Sequence, residues 1–233
     1  MNENDNIVEN QLMDEEDKDY KIEVINEKDN NSNINNYKVI ILGLTGVGKT
    51  TISFRVVRNE FIQSSPTISL DVVNYQVKVN DKKIKIQLWD TCGNDEFAKN
   101  TPNLFKNTTL AIIVYAINDR QSFNEVGEWY NILREKSIDS LVYLIGNKID
   151  LEKERKVTKD EGEELKKQLN FNYFLETSSK TGFNIKQLIN KIAIFIYEKD
   201  KNENLNEGNK ISHEDLRNLE DDKKKRKKKE CCH

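Results

Sequence analysis

The sequence predicts an α/β fold, a single domain in which a mostly parallel sheet of six strands is flanked by about five helices. Apolar or alternating segments typical of strands are interleaved with segments whose apolar residues recur at helical spacing, and this order favours a parallel sheet. Asn80-Asp81 separates two alternating segments as a tight turn, so one hairpin adds an antiparallel strand. Thr158 and Glu161 have the spacing of a capping box at the start of a helix. We expect strands at 37–42, 71–79, 83–89, 110–117, 141–145 and 172–175, and helices at 49–59, 122–136, 158–169 and from 184 onward.

The chain of 233 residues has room for one such domain, predicted at 37–200, between two polar extensions. Residues 1–36 contain eleven acidic side chains and many asparagines, with too few apolar groups to offset the entropy of folding. We therefore expect this acidic, Asn-rich extension to be disordered. Residues 201–233 are predicted to form a second disordered tail. The formal net charge of −3 gives no strong nucleic-acid signature.

Cysteine usage and the length of the apolar runs indicate a cytosolic environment. Cys92, Cys231 and Cys232 do not have the spacing of a disulfide framework, as is usual in a reducing compartment. The longest apolar run, residues 110–117, is far too short to cross a bilayer. The acidic N-terminus lacks the pattern of a signal peptide, so we expect the protein to stay on the cytosolic side of membranes.

A glycine-rich stretch, Gly43-Leu44-Thr45-Gly46-Val47-Gly48-Lys49-Thr50, joins the first predicted strand to the first predicted helix. The pattern G-x-x-x-x-G-K-[ST] in this position is typical of the phosphate-binding P-loop. Glycines let backbone N–H groups approach the phosphates, and the helix adds its positive N-terminal end. Lys49 is expected to reach the β- and γ-phosphates, and the Thr50 hydroxyl to ligate Mg²⁺. The nucleotide-binding residues predicted here are Thr45, Gly46, Val47, Gly48, Lys49, Thr50 and Thr51.

Two further motifs follow the last predicted strands, at the sheet edge where the P-loop lies. In Asn147-Lys148-Ile149-Asp150, the Asp150 carboxylate is suited to accept the N1 and 2-amino protons of guanine, while Lys148 lies along the base. Adenine lacks both donors and would leave a buried carboxylate unpaired, which costs a few kcal/mol. In Glu176-Thr177-Ser178-Ser179-Lys180, backbone N–H groups are expected to meet the guanine 6-oxo group. The predicted base site is Asn147, Lys148, Asp150, Ser178, Ser179 and Lys180; an ATP-using P-loop enzyme is the weaker alternative.

A fourth motif, Trp89-Asp90-Thr91-Cys92-Gly93-Asn94, ends the second strand of the hairpin. Asp90 is expected to hold Mg²⁺ through a water molecule, and the Gly93 N–H to touch a γ-phosphate. A D-x-x-G turn also occurs as a simple strand ending, so this prediction depends on the other motifs.

With these motifs in this order, residues 37 to about 199 resemble the Ras superfamily of small GTPases, and most closely its Rab branch. Lys85-Ile86-Gln87-Leu88-Trp89-Asp90-Thr91 and Ile113-Val114-Tyr115 look like Rab strands. The resemblance implies a P-loop GTPase domain that binds GTP or GDP with Mg²⁺ and recruits effectors in vesicle trafficking. Ser65-Pro66-Thr67-Ile68 resembles switch I, in which Thr67 would bind Mg²⁺ and the γ-phosphate. Phe61 is assigned to covering the guanine, although it lies one residue closer to Thr67 than is usual in the family, and packing of the first helix is its alternative role.

Several positions depart from the family pattern. Asn94 stands where the family usually has the glutamine that orients the attacking water, and Cys92 replaces an alanine. Asparagine is one methylene shorter, and a misplacement near 1 Å can cost about 10²-fold in rate. Thr45 is β-branched and is expected to crowd the γ-phosphate. We predict slow intrinsic GTP hydrolysis, with Lys49 and Asn94 as the catalytic residues. The alternatives are that a partner supplies all the chemistry, or that the protein is a GTP-bound membrane-docking platform with negligible turnover.

The end of the chain consists of seven consecutive Lys and Arg residues, 223–229, followed by Glu230-Cys231-Cys232-His233. It resembles a Rab prenylation tail with lipid on Cys231 and Cys232, but it is not a C-a-a-X box and His233 extends past the cysteines. Each cation gains about 1 kcal/mol near an anionic leaflet, and lipid supplies the second anchoring signal. The implied location is the cytoplasmic face of an intracellular membrane, with a cytosolic pool and no nucleic acid partner. A Lys/Arg run is also typical of a nuclear-import or nucleic-acid-binding patch.

The partners implied by the resemblance are a guanine nucleotide exchange factor, a GTPase-activating protein, the Rab escort and prenylation machinery, and trafficking effectors. Ser69 and Asn107-Thr108 replace usual family residues on or near effector surfaces, so the set of effectors cannot be carried over.

Overall fold

The computed structural model describes Asp17 and residues 19–25, 34–62, 70–91 and 101–203. Its strands are β1 (Ile22–Val24), β2 (Asn36–Leu42), β3 (Asp71–Val79), β4 (Lys82–Asp90), β5 (Thr108–Ala116), β6 (Leu141–Asn147) and β7 (Tyr173–Glu176). Its helices are α1 (Lys49–Arg58), α2 (Arg120–Asn124), α3 (Val126–Lys136), α4 (Lys159–Gln168) and α5 (185–203), with short 3-10 helices at Pro102–Leu104 and Ile149–Glu154. The α/β prediction is confirmed, and all six predicted strands are present.

The strands form one sheet in the order β1-β3-β4-β2-β5-β6-β7. The β2–β4, β2–β5, β5–β6 and β6–β7 pairs are parallel, whereas the predicted β3–β4 hairpin and the β1–β3 pair are antiparallel. The carboxyl ends of five strands therefore lie at one edge, where α/β sheets bind their ligands. The P-loop follows β2 at this edge, Asp90 ends β4, Asn147 ends β6, and Thr177 follows β7.

The core lies between the central strands and α3. Strands buried on both faces consist of nearly continuous apolar residues, and β5 has this composition. Its side chains pack against α3 with those of the neighbouring strands; the buried set includes Ile40, Ala111, Ile113, Val142, Trp129 and Leu133. This packing fixes the strand ends, and therefore the loops that follow them.

Two predictions about helices have different outcomes. The capping box is confirmed, since the Thr158 hydroxyl accepts from the Glu161 N–H and the Glu161 carboxylate accepts from the Thr158 N–H. The helix predicted at 122–136 is present but divided in two, because Glu125, with a ψ of −7°, forms a turn between α2 and α3. The Ser122 hydroxyl accepts from the Ala116 N–H and so holds α2 at the end of β5. Apolar spacing does not reveal such a restraint.

The N-terminal extension contributes a strand that sequence composition did not predict. β1 pairs with the outer edge of β3, with Val24 opposite Val77. The ladder continues on both sides, through bonds from the Ile25 N–H to the Gln76 carbonyl (3.0 Å) and from the Asn80 N–H to the Lys21 carbonyl (2.8 Å). These contacts correct the prediction of disorder at residues 22–24 and raise the number of strands to seven. The physical reason is that the free edge of β3 supplies partners that average composition does not register.

Asp17 ties the same segment to the body of the domain. Its carboxylate oxygens lie 3.0 and 2.9 Å from the Lys191 Nζ on α5, and the Asp17 side chain is only 7% exposed. The Lys191 ammonium also lies 5.4 Å from the centre of the Tyr173 ring. Burial, and then the charge of Asp17, raise the pKa of Tyr143. We call Asp17 and residues 19–25 the N-terminal strap.

The chain divides into two units, residues 1–194 and 195–233, with the boundary inside α5. Of the second unit, the structure describes residues 195–203, which are helical. Within the described ranges, no helix has the length and apolar character needed to cross a membrane.

Candidate nucleotide-binding site

The P-loop adopts a backbone conformation that requires glycine at Gly43 and Gly48. Gly43 has a φ of +136°, and a Cβ there would lie 2.2 Å from the Val114 carbonyl oxygen of β5. Gly48 has a φ of +100°, and a Cβ there would lie 2.3 Å from the Asn147 Nδ2 at the end of β6. Both the left-handed backbone and the close contacts exclude larger residues. The glycines thus let the loop pack against two neighbouring strand ends.

Lys49 is buried at the first position of α1, and its ammonium is held by the P-loop itself. The Nζ atom donates to the carbonyl oxygens of Gly43 (2.8 Å) and Leu44 (3.0 Å). A positive charge therefore lies inside the loop in which phosphate binding is predicted. Thr45 and Gly46, at the tip of the loop, are exposed.

Asp90 ends β4 as a buried carboxylate beside α1. The Thr50 hydroxyl is hydrogen-bonded to it. Its Oδ1 atom is nevertheless buried without a hydrogen-bond partner among the described residues. Burial raises the pKa of Asp90, the Thr50 bond and the Lys49 charge oppose this shift, and Asp71 adds to it. A buried acceptor without a donor is costly, and a cation or its hydration water would relieve that cost.

This donor set matches Mg²⁺, a hard cation that prefers oxygen ligands and usually keeps several waters. Thr50 would hold the ion through its hydroxyl and Asp90 through a water. Thr67, the third predicted ligand, lies outside the described residues. A bound Mg²⁺ would supply positive charge to the phosphates.

Asn147, the last residue of β6, connects two loops of the site through its buried amide. Its Nδ2 donates to the Val47 carbonyl (2.9 Å) and to the Ser179 hydroxyl (3.3 Å). Its Oδ1 accepts from the Thr177 hydroxyl (3.2 Å) and the Ser179 N–H (3.1 Å). Thr51 of α1 adds a second link, with its hydroxyl 2.9 Å from that of Ser179. Asn147 and Thr51, both predicted to bind nucleotide, thus brace the P-loop against the loop after β7.

Asp150 is oriented by Ser178. The Ser178 hydroxyl donates to Asp150 Oδ1 at 2.6 Å and accepts from the Thr181 N–H at 3.1 Å. The Asp150 side chain is only 13% exposed, although its backbone is open, and Oδ2 lies 4.0 Å from the Lys180 Nζ. A carboxylate has about four acceptor sites, so this arrangement leaves capacity for two more N–H donors. That capacity corresponds to the N1 and 2-amino groups of guanine.

For the remaining predicted residues, the structure gives a backbone conformation or an exposure, or does not describe the residue. Lys148 has a left-handed φ of +70° between Asn147 and the 3-10 helix that contains Asp150. Phe61 lies just after α1 and is 43% exposed, so its ring is available for stacking. Phe183, a second exposed ring after the β7 loop, was not singled out in the sequence. Outside the described residues lie Thr67, Gly93, Asn94, Cys231 and Cys232.

Two arginines that sequence reasoning missed support the loops of the base site. Arg155 forms a two-pronged ion pair with Glu176, at 2.6 and 3.1 Å, which joins the segment after Asp150 to the end of β7. Arg55 of α1 donates to the carbonyl oxygens of Ser179 (2.9 Å) and Lys180 (2.5 Å). The available signal was the i, i+4 spacing of Thr51 and Arg55, which places them on one helix face.

A strand, a P-loop and a helix, beside a carboxylate set for two N–H donors, define the class of protein as a P-loop nucleotide-binding domain. Comparison with known families is more specific, since the model of the Ras family matches residues 38–198. The chain belongs to the Ras family. Proteins of this family are small GTPase switches that bind guanine nucleotide and Mg²⁺ and interact with exchange factors, activating proteins and effectors.

Proposed function

We propose that this Ras-family protein is a Rab-like switch that recruits trafficking effectors to membranes while GTP is bound and resets by slow hydrolysis. The observation that supports guanine recognition is the shielded Asp150 carboxylate, whose Oδ1 accepts a hydrogen bond from the Ser178 hydroxyl at 2.6 Å. Adenine lacks the N1 and 2-amino N–H donors of guanine, so a bound adenine would leave this carboxylate without those hydrogen bonds.

The roles of the residues follow from their positions. Lys49 neutralises charge on the transferred phosphoryl group; Thr50, Thr67 and, through a water, Asp90 would hold Mg²⁺, which would supply further positive charge there. Thr67 and the Gly93 N–H sense the γ-phosphate. Loss of that phosphate releases switch I, 61–71, and switch II, 90–101, and so ends effector binding.

The Rab assignment rests on sequence alone. The segment 85–91 and the basic tail that ends in Cys231-Cys232-His233 resemble Rab proteins. The partners that follow are an exchange factor, an activating protein, the Rab escort and prenylation machinery, and trafficking effectors.

Replacing Asn94 with glutamine is expected to accelerate single-turnover GTP hydrolysis by about 10- to 100-fold. The extra methylene returns the amide to the distance at which the family glutamine orients water, and errors near 1 Å cost about 10²-fold. Quench-flow measurements on GTP-loaded protein give the rate. Asn103→Gln, the same exchange at an exposed position, is the matched control and should leave the rate unchanged. Equal rates for wild type and Asn94→Gln would refute the slow-hydrolysis proposal.

The second candidate is a GTP-bound docking platform with negligible turnover, which Asn94 and Thr45 favour. The nucleotide extracted from the purified protein separates the two functions. GDP supports the switch, and predominantly GTP supports the platform. A preference for ATP over GTP in a binding assay would reject both.

We expect Cys231→Ser/Cys232→Ser to move the protein from the membrane fraction to the cytosol, since basic residues alone give one of the two signals that stable anchoring needs. Mass spectrometry of the C-terminal peptide from native protein measures the modification directly. Unmodified cysteines in membrane-bound protein would contradict the lipid anchor.

A further inference from the structure

Arg55 makes an unusual set of contacts for an arginine on a surface helix. Its guanidinium donates to three backbone carbonyls, those of Asn59 (2.8 Å), Ser179 (2.9 Å) and Lys180 (2.5 Å). Within the described part of the chain, no carboxylate lies in ion-pair range of Arg55. A cation whose donors all go to carbonyls orients backbone, because charge-assisted hydrogen bonds are stronger than neutral ones.

The contacts fix the orientation of two consecutive peptide groups. In a trans peptide the C=O and N–H bonds point in opposite directions. The carbonyls of Ser179 and Lys180 both face Arg55, so the N–H groups of Lys180 and Thr181 face the other way. The Thr181 N–H meets the Ser178 hydroxyl, which is bonded to Asp150. The Lys180 N–H is therefore directed to the side of the loop on which the base-reading carboxylate lies.

Among the backbone N–H groups of residues 177–181, that of Lys180 remains available. The Ser179 N–H is taken by the Asn147 Oδ1, and the Ser178 N–H by the Phe183 carbonyl. The Lys180 N–H makes no hydrogen bond with any residue that the structure describes. A single aligned donor beside Asp150 suits the 6-oxo group of guanine, whereas the 6-amino group of adenine would oppose it with another donor.

We infer that Arg55 is a positioning residue for guanine specificity, which acts by orienting the Ser179–Lys180 peptide so that the Lys180 N–H reads the 6-oxo group. Arg55 touches neither base nor phosphate in this role. The inference rests on the proposed guanine binding and adds to it the residue that sets the direction of the reading donor.

The test compares three diphosphates in displacement of a fluorescent GDP analogue from the full-length protein. IDP retains the 6-oxo group and lacks the 2-amino group, whereas 2-aminopurine riboside diphosphate retains the 2-amino group and lacks the 6-oxo group. Arg55→Met, which keeps the length of the side chain and removes its donors, should weaken GDP and IDP by about tenfold. It should change the affinity for the 2-aminopurine nucleotide by less than about twofold. Arg55→Lys, which keeps part of the donor set, should give an intermediate loss.

Arg58→Met is the matched control. Arg58 lies near the end of the same helix, over the Phe54 ring, and should leave all three affinities unchanged. Equal weakening of all three ligands by Arg55→Met would show general destabilisation and overturn the inference, as would no weakening at all. If wild-type protein binds GDP no better than ADP, the proposed function itself fails. If wild-type protein prefers GDP but Arg55→Met changes the affinities for GDP, IDP and the 2-aminopurine nucleotide by the same factor, only the role of Arg55 is refuted.

Discussion

Gly48→Ala is expected to weaken GDP binding by at least about 100-fold. A Cβ at Gly48 would lie 2.3 Å from the Asn147 Nδ2 and 2.9 Å from the Thr51 hydroxyl, and the φ of +100° strains any L side chain. The Asn147 side chain cannot move away without breaking hydrogen bonds, because its amide group is hydrogen-bonded to Val47, Ser179 and Thr177. Displacing it breaks the link between the P-loop and the loop after β7.

The magnitude follows from the groups left without partners. Backbone strain costs roughly 1–3 kcal/mol, and each buried polar group that loses its partner costs about 1–3 kcal/mol. Together these exceed about 3 kcal/mol, and each 1.4 kcal/mol is a factor of ten in affinity. Isothermal titration with GDP measures the loss directly.

Gly182→Ala provides the control for strain alone. Gly182 has a comparable φ of +88°, but the nearest atom to an added Cβ is the Arg55 Cδ, at an ordinary 3.8 Å. We expect a clearly smaller loss of affinity for Gly182→Ala than for Gly48→Ala, because only the backbone strain of roughly 1–3 kcal/mol remains. Similar losses for the two variants would mean that the contact with Asn147 is unimportant.

The sequence predicted the strands that carry the motifs, and because parallel strands bring their carboxyl ends to one edge, it also predicted that these motifs lie at the same edge of the sheet. It could not predict which side chains of these motifs would form hydrogen bonds within the protein and not with a ligand. Asn147 and Ser179 look like ligand residues in a linear motif, yet their mutual bond spans 32 positions, and the bond of Asn147 to Val47 spans 100. Arg55 in α1 looks like any exposed helix cation.

The N-terminal strap contains a strand, β1, that could not be predicted from the sequence. Three residues, Ile22–Val24, are too few to show a period of two, and acidic neighbours dominate the composition around them. Their conformation depends on the edge of β3, more than 50 positions away in sequence. Tertiary pairing of this kind overrides local preference.

Lys191→Met is expected to lower the free energy of unfolding by about 1–3 kcal/mol, as measured by urea denaturation of the GDP-loaded full chain. Removing one partner of a buried ion pair typically costs roughly 3–5 kcal/mol, because a charge remains buried and unpaired. Asp17 is different, since it belongs to a strap that can detach and return the carboxylate to water. The cost is therefore limited to the docking energy of the strap, which includes the backbone bonds of β1.

The same reasoning predicts that the effects of Lys191→Met and of removing the strap do not add. Deleting residues 1–25 should cost about as much as Lys191→Met, and Lys191→Met introduced into the shortened chain should cost much less than in the full chain, because its partner is already gone. Glu23→Gln is the control, since the Lys21–Glu23 pair in the same strap is exposed and should leave the midpoint of unfolding unchanged. If Lys191→Met costs as much without the strap as with it, Lys191 stabilises α5 through its other contacts and Asp17 does not anchor the strap.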